Sequence, residues 1–86
     1  MFTLKVVTPN ELFFEGQVEH VRAPGYTGYL GVLQNHAPFV TPITKGDLTY
    51  RDGAGKTSTV QVEGGFLEVS ASRVIVLTDK VHGTTA

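Results

Sequence analysis

Eighty-six residues suffice for one small domain and fall short of two. A chain of this size hides roughly 60–65% of its unfolded surface on folding, so a core is available but modest. The net charge of −1, the pI near 6.2 and seven basic residues with no two adjacent exclude the Lys/Arg clusters that nucleic-acid binding needs, and the lack of cysteine excludes disulfides and thiolate metal sites.

The first nine residues lack the apolar region of a signal peptide, and no apolar stretch approaches the ~20 residues that span a bilayer. Membrane association is therefore expected only through a partner. Charged residues make up 17%, against a typical ~25%. Either part of the surface is covered in use, or the many threonines replace charges on exposed strand faces; composition leaves both open.

Along the chain the apolar period is two rather than 3.6. Phe2, Leu4 and Val6 alternate with Thr3, Lys5 and Val7, the pattern of a half-buried strand. Thr8-Pro9-Asn10 supplies a turn. Leu12 to Glu15 reads as a short apolar segment broken by Gly16, and Gln17 to Arg22 as the next strand. Val18 and Val21 stand three apart, so a bulge at Glu19-His20 is expected to return both to one face. Ala23 to Gly31 interleaves Pro24, Gly25, Gly28 and Gly31 with Tyr26, Tyr29 and Leu30, as a loop or glycine-broken hairpin presenting large side chains. Val32-Leu33 is a short strand and Gln34 to Pro38 a turn.

Phe39, Val40 and Ile43 give a strand that Pro42 confines to a sheet edge or its end. Gly46-Asp47 suits a tight turn, after which Leu48 and Tyr50 alternate with Thr49 and Arg51. Asp52 to Gly55 is a second hairpin turn, leading to a strand with Ser58, Val60 and Val62 on one face. Glu63-Gly64-Gly65 punctuates again before Phe66 to Ser70. Arg73 to Leu77 is apolar on both faces from Val74 onward, as in a central strand covered on both sides. About ten short strands without a helical stripe predict a single all-β domain over residues 1–86, a small β-sandwich or barrel.

Residues for chemistry are scarce. Gly53-Ala54-Gly55-Lys56-Thr57 resembles the end of a phosphate-binding loop, but the full pattern needs a glycine where Tyr50 stands and a helix where a strand pattern follows. It reads as a turn. His20, His36 and His82 lack metal-ligand spacing, Ser58, Ser70 and Ser72 lack a nucleophile context, and the carboxylates are scattered singly. No catalytic, cofactor or metal site is expected. Tyr26 and Tyr29 are the stronger candidates: tyrosines suit interface anchoring, with little rotamer entropy to lose. They could instead fold back as a lid over the small core.

Gly28-Tyr29-Leu30-Gly31-Val32 followed by Asn35-His36-Ala37-Pro38 resembles the G-x-L-G-I/V…H-A-P signature of F-type ATP synthase epsilon subunits. Phe14 to Val18, Thr41 to Gly46, Gly64 to Val69 and Val74 to Asp79 resemble further segments of that family, in order, so that the likeness spans residues 2–80. It implies an N-terminal β-sandwich of about ten strands that joins the gamma subunit to the c-ring in the central stalk. The joint couples transmembrane proton flow to ATP synthesis without chemistry or a cofactor of its own, on the cytoplasmic face of a bacterial plasma membrane. Carried over position by position, Pro24, Gly25, Tyr26, Gly28, Tyr29 and Leu30 match the loop facing the c-ring, and Thr8, His36 and Thr41 match gamma-facing positions. Tyr29 stands where many relatives have an acid, which implies an aromatic contact in place of a polar one. Most relatives continue into a C-terminal helical hairpin that can block ATP hydrolysis; Lys80 to Ala86 are too short for one helix, so the chain is expected to couple without that latch. An independent peptide- or sugar-binding sandwich and a nucleotide-dependent enzyme built on Lys56 are the competing readings.

Overall fold

The computed structural model describes residues 1–33 and 37–83, and among them every regular element is a strand. The strands are β1 (Phe2–Val7), β2 (Leu12–Gly25), β3 (Gly28–Leu33), β4 (Phe39–Asp52), β5 (Thr57–Val69), β6 (Arg73–Leu77) and β7 (Val81–His82). They form one hydrogen-bonded sheet in the order β1-β6-β5-β4-β2-β3, with β7 on β5. A further pairing of β1 with β2 closes the sheet on itself. The closure gives a barrel-like sandwich filled by a single cluster of side chains.

Alternation builds that core as the sequence predicts. Phe2, Leu4 and Val6 of β1 point inward, as do Val60 and Val62 of β5 and Val74 and Val76 of β6. Val18 and Val21 are both fully buried because the β2–β4 register shifts between Val18 and His20, leaving Glu19 as the extra residue of a bulge. Without that shift one valine would face water.

Where about ten short strands are expected, the described residues form seven, because three are long: β2 and β4 have 14 residues and β5 has 13. Glycines whose context predicts strand breaks lie inside ladders. Gly16 pairs with Leu4 in the β1–β2 ladder. Gly46-Asp47 is no turn: Gly46 pairs with Val62 and Asp47 with Gln61. The Gly46 position is small because the buried Pro24 lies over it, only 3.0 Å from where a β-carbon would stand. Gly64-Gly65 bends β5 without ending it. Both have positive φ, and a β-carbon on Gly65 would fall 1.9 Å from the Leu77 carbonyl oxygen.

Pro42 meets its expectation in a different way. It lies inside β4, but the half of β4 that carries it pairs with β5 alone, since β2 pairs only with Thr49 to Asp52. β6 sits centrally between β1 and β5, as predicted. Its outer face, however, is not covered: Ile75 is half-buried and Leu77 exposed. That departure locates one of the two surfaces below.

Candidate functional site

The first surface is the tip of the β2–β3 hairpin. Gly25 pairs with Gly28, and Tyr26-Thr27 make a two-residue turn between them. Gly28 sits at φ +126°, a conformation that suits glycine there. Tyr26 is 73% exposed and Tyr29 51%, so neither ring closes over the core. Both are presented to solvent. The remaining residues of this predicted contact divide by role: Pro24 is buried against Gly46, and Leu30 packs half-buried on the core. They hold the hairpin in place while the tyrosines project from it. The Arg22 guanidinium lies 4.1 Å from the centre of the Tyr29 ring, within cation–π range.

The second surface crosses the sheet near the other end of β2. Pro42 pairs with Phe66, Phe66 with Leu77, Leu77 with Val7 and Val7 with Leu12. Residues paired across a sheet share a face. Ile43, Leu67, Val76 and Val6, each next to a member of this row, are buried. The row itself therefore points outward. Five adjacent strands so contribute one apolar side chain apiece to an outer stripe, with Leu12, Phe66 and Leu77 about half exposed. A shallow groove runs along it, lined by Val7, Pro9, Phe66 and Leu77 with Thr8 and Asp79 at its rim. The neighbouring row mixes charges with apolar groups: Val40, Glu68, Ile75, Lys5 and Glu15, with Lys5 and Glu15 3.7 Å apart.

Thr8 belongs to this second surface. Its hydroxyl accepts the Glu11 amide at 3.2 Å and its own amide donates to the Glu11 carbonyl at 2.9 Å, which fixes the turn beside the groove. Thr41 does not lie on the stripe. It pairs with the buried Leu67, so its half-buried side chain faces the core side of β4. His36 lies outside the described residues. Alternation alone does not predict the stripe, although β6, with apolar residues on both faces, carries its signal.

Three amides of the Lys56 turn are already engaged by Asp52. The Asp52 carboxylate accepts the Ala54 amide at 2.9 Å and the Lys56 amide at 3.0 Å, while the Gly55 amide donates to the Asp52 carbonyl. An anion would have to displace a carboxylate already seated there, and β5 follows where a helix would be needed. Among the described residues no three His, Asp or Glu side chains converge as metal ligands. His82 contacts Glu63 at 2.8 Å, and His20 sits half-buried on β2. Burial pushes the Tyr50 phenol up to about 12, but this group belongs to the core.

Known proteins agree with this architecture. Residues 1–83 match the family described as ATP synthase, Delta/Epsilon chain, beta-sandwich domain. The ATP synthase epsilon chain of Nitratidesulfovibrio vulgaris (Miyazaki F) is 46% identical over 92% of this chain, which spans 58% of that relative's length. That of Anaeromyxobacter sp. (strain K) is 49% identical over 90% of this chain and 58% of its own. The epsilon chain of Chlorobaculum tepidum, 41% identical, aligns with 93% of this chain and 91% of its own length. Among solved structures, a chain of the Euglena gracilis mitochondrial ATP synthase (OSCP/F1/c-ring) superposes with a TM-score of 0.88 at 23% identity, covering 93% of this chain and 51% of that one, a likeness of fold. Strand-only architecture, a family match along nearly the whole length and relatives at 41–49% identity place this chain in the delta/epsilon family of ATP synthase subunits, as its β-sandwich domain.

Proposed function

We propose that this domain is a non-catalytic joint of the ATP synthase rotor: it holds the gamma subunit with its apolar stripe and the c-ring with its tyrosine hairpin, so that proton-driven rotation of the ring reaches the shaft. The observation that carries this reading is the separation of the two surfaces. Leu12 opens β2 on the stripe, and Gly25 ends the same strand at the hairpin tip. One protein can thus be gripped at two places by two partners at once. Neither surface converges reactive groups, which suits a part that transmits force and leaves the chemistry to the rest of the complex. Thr8, beside the groove, supports assigning the stripe to gamma. Bacterial relatives support a place on the cytoplasmic face of the plasma membrane.

Paired variants test the assignment. Phe66→Ser with Leu77→Ser removes the centre of the stripe, and Tyr26→Ser with Tyr29→Ser removes the tip. All four side chains are about half exposed or more, so the fold, checked by circular dichroism, should survive. Each pair should lower affinity for its own partner at least about tenfold, since burying one large apolar side chain contributes ~1.5–3 kcal/mol. Affinity for the other partner should stay unchanged. Wild-type binding of gamma and ring by both variants would overturn the proposal, and a folded wild-type domain with no affinity for either would favour an independent binding module.

A further inference from the structure

We infer that Arg22 and Tyr29 act as one recognition unit, and that its counterpart on the c-ring loop is a carboxylate. The inference rests on the proposed placing of the hairpin against the ring. Between Glu19 and Lys45, Arg22 is the only Asp, Glu, Lys or Arg in the chain. The whole hairpin therefore presents a single fixed charge, and it is positive. The register explains how that charge is held. Arg22 pairs with Gly31 and Pro24 with Tyr29, so Arg22 and Tyr29 share one face of the hairpin, one step apart. Gly31 offers no side chain opposite Arg22, and the guanidinium lies over the Tyr29 ring at 4.1 Å.

No described carboxylate neutralises it. Glu19, the nearest acid in sequence, is taken by Arg51 at 2.6 Å. The Tyr29 ring lies against the guanidinium of an exposed Arg22. A planar fork held rigid in this way matches a carboxylate, which can accept two parallel bonds. It repels a basic loop. Where a carboxylate at position 29 would select a basic or amide-rich partner, Tyr29 with Arg22 reverses the sign of the selection.

The test measures affinity of the gamma-bound protein for detergent-solubilised c-ring at low and high ionic strength. Arg22→Gln should lower low-salt affinity about tenfold and flatten its salt dependence, because exposed charge pairs are screened. Arg22→Lys should fall between, keeping charge and losing the fork, and Tyr29→Phe should bind as wild type, since the stack needs only the ring. Changing the loop carboxylate of the ring to its amide should cost the wild type the same factor and cost Arg22→Gln nothing more. A ring loop without Asp or Glu, or Arg22→Gln with unchanged affinity and salt slope, would overturn the inference. If the Tyr26→Ser/Tyr29→Ser protein also bound the ring normally, the hairpin assignment itself would fall; if that protein were weakened and Arg22→Gln were not, only the carboxylate would be wrong.

Discussion

Tyr50 is the one polar side chain in the core whose hydroxyl finds no hydrogen-bond partner among the described residues, and replacing it with phenylalanine should stabilise the domain. The residue is 3% exposed, pairs across the sheet with Val21 and Ser58, and packs its ring 4.5 Å from that of Phe14. Tyr50→Phe keeps the ring contact and removes the hydroxyl. A buried polar group left without a partner costs about 1–3 kcal/mol. Because a new methine contact is all that replaces it, a gain of about 1 kcal/mol at neutral pH is expected, or ~4–8 °C in Tm for a domain of this size. The pH dependence gives a second, independent reading. Burial lifts the folded phenol from 10.0 to about 12, so the neutral form is favoured in the fold. Its contribution is intact below pH 10 and is lost as pH rises through 12, when the unfolded phenol ionises before the folded one. The wild type should therefore lose on the order of a few kcal/mol across that range. Urea unfolding followed by circular dichroism at pH 7 and pH 11 should show the variant's advantage growing with pH. Tyr26→Phe, altered at the solvent-exposed tip, serves as control. A variant less stable than wild type at pH 7, or one with the same alkaline loss, would refute the account of this hydroxyl.

Two further substitutions probe the features that distinguish a bent strand from a broken one. Gly65→Ala should destabilise by about 3 kcal/mol or more, since it combines φ +126° with a β-carbon 1.9 Å from the Leu77 carbonyl oxygen; urea midpoints within experimental error of wild type would mean that β5 does not bend there. Asp52→Ala removes the acceptor of the Ala54 and Lys56 amides and should cost about 1 kcal/mol in this exposed turn. In that variant ATP with magnesium should still give no heat of binding in calorimetry, and a measurable heat would reopen the nucleotide reading of Lys56.

Much of the fold can be read from alternation alone, because period two fixes which side chains share a face without reference to any partner strand. Phe2, Leu4 and Val6 needed nothing else, and the three-residue step from Val18 to Val21 was enough to locate the bulge. Glycine is ambiguous by the same standard. A small residue that ends a strand and one that lets another segment lie close are identical in sequence. Only the arrival of Pro24 over Gly46, and of the Leu77 carbonyl at Gly65, separates them. The hairpin tyrosines were legible because turn-forming glycines flank them. The stripe was not, since its members come from five separate strands and alternation reveals a face without saying whether anything covers it. Val74 to Leu77 suggested burial on both sides, and half of that suggestion belongs to a surface.

The difference between ten short strands and seven matters for the proposed role. Short strands divided between two separate sheets would pass force from one layer to the other mainly through side-chain packing, which is non-directional and yields to shear. Here β2, β4 and β5 each run 13 or 14 residues, and the β4–β5 ladder continues in one register from Phe39 opposite Val69 to Arg51 opposite Thr57. The β1–β2 pairing then closes the circuit. A load applied at the hairpin tip enters β2 directly and is shared with β4 and β1 through hydrogen bonds before it reaches the stripe. Shifting one strand by a single residue would turn its apolar side chains out of the core, so the closed sheet resists slip at every rung at once. The Gly64-Gly65 bend lets β5 follow the curve of the closed sheet without a chain break. In the proposed joint between a turning ring and a shaft, that continuity would let a domain of this size hold both partners in fixed relative orientation.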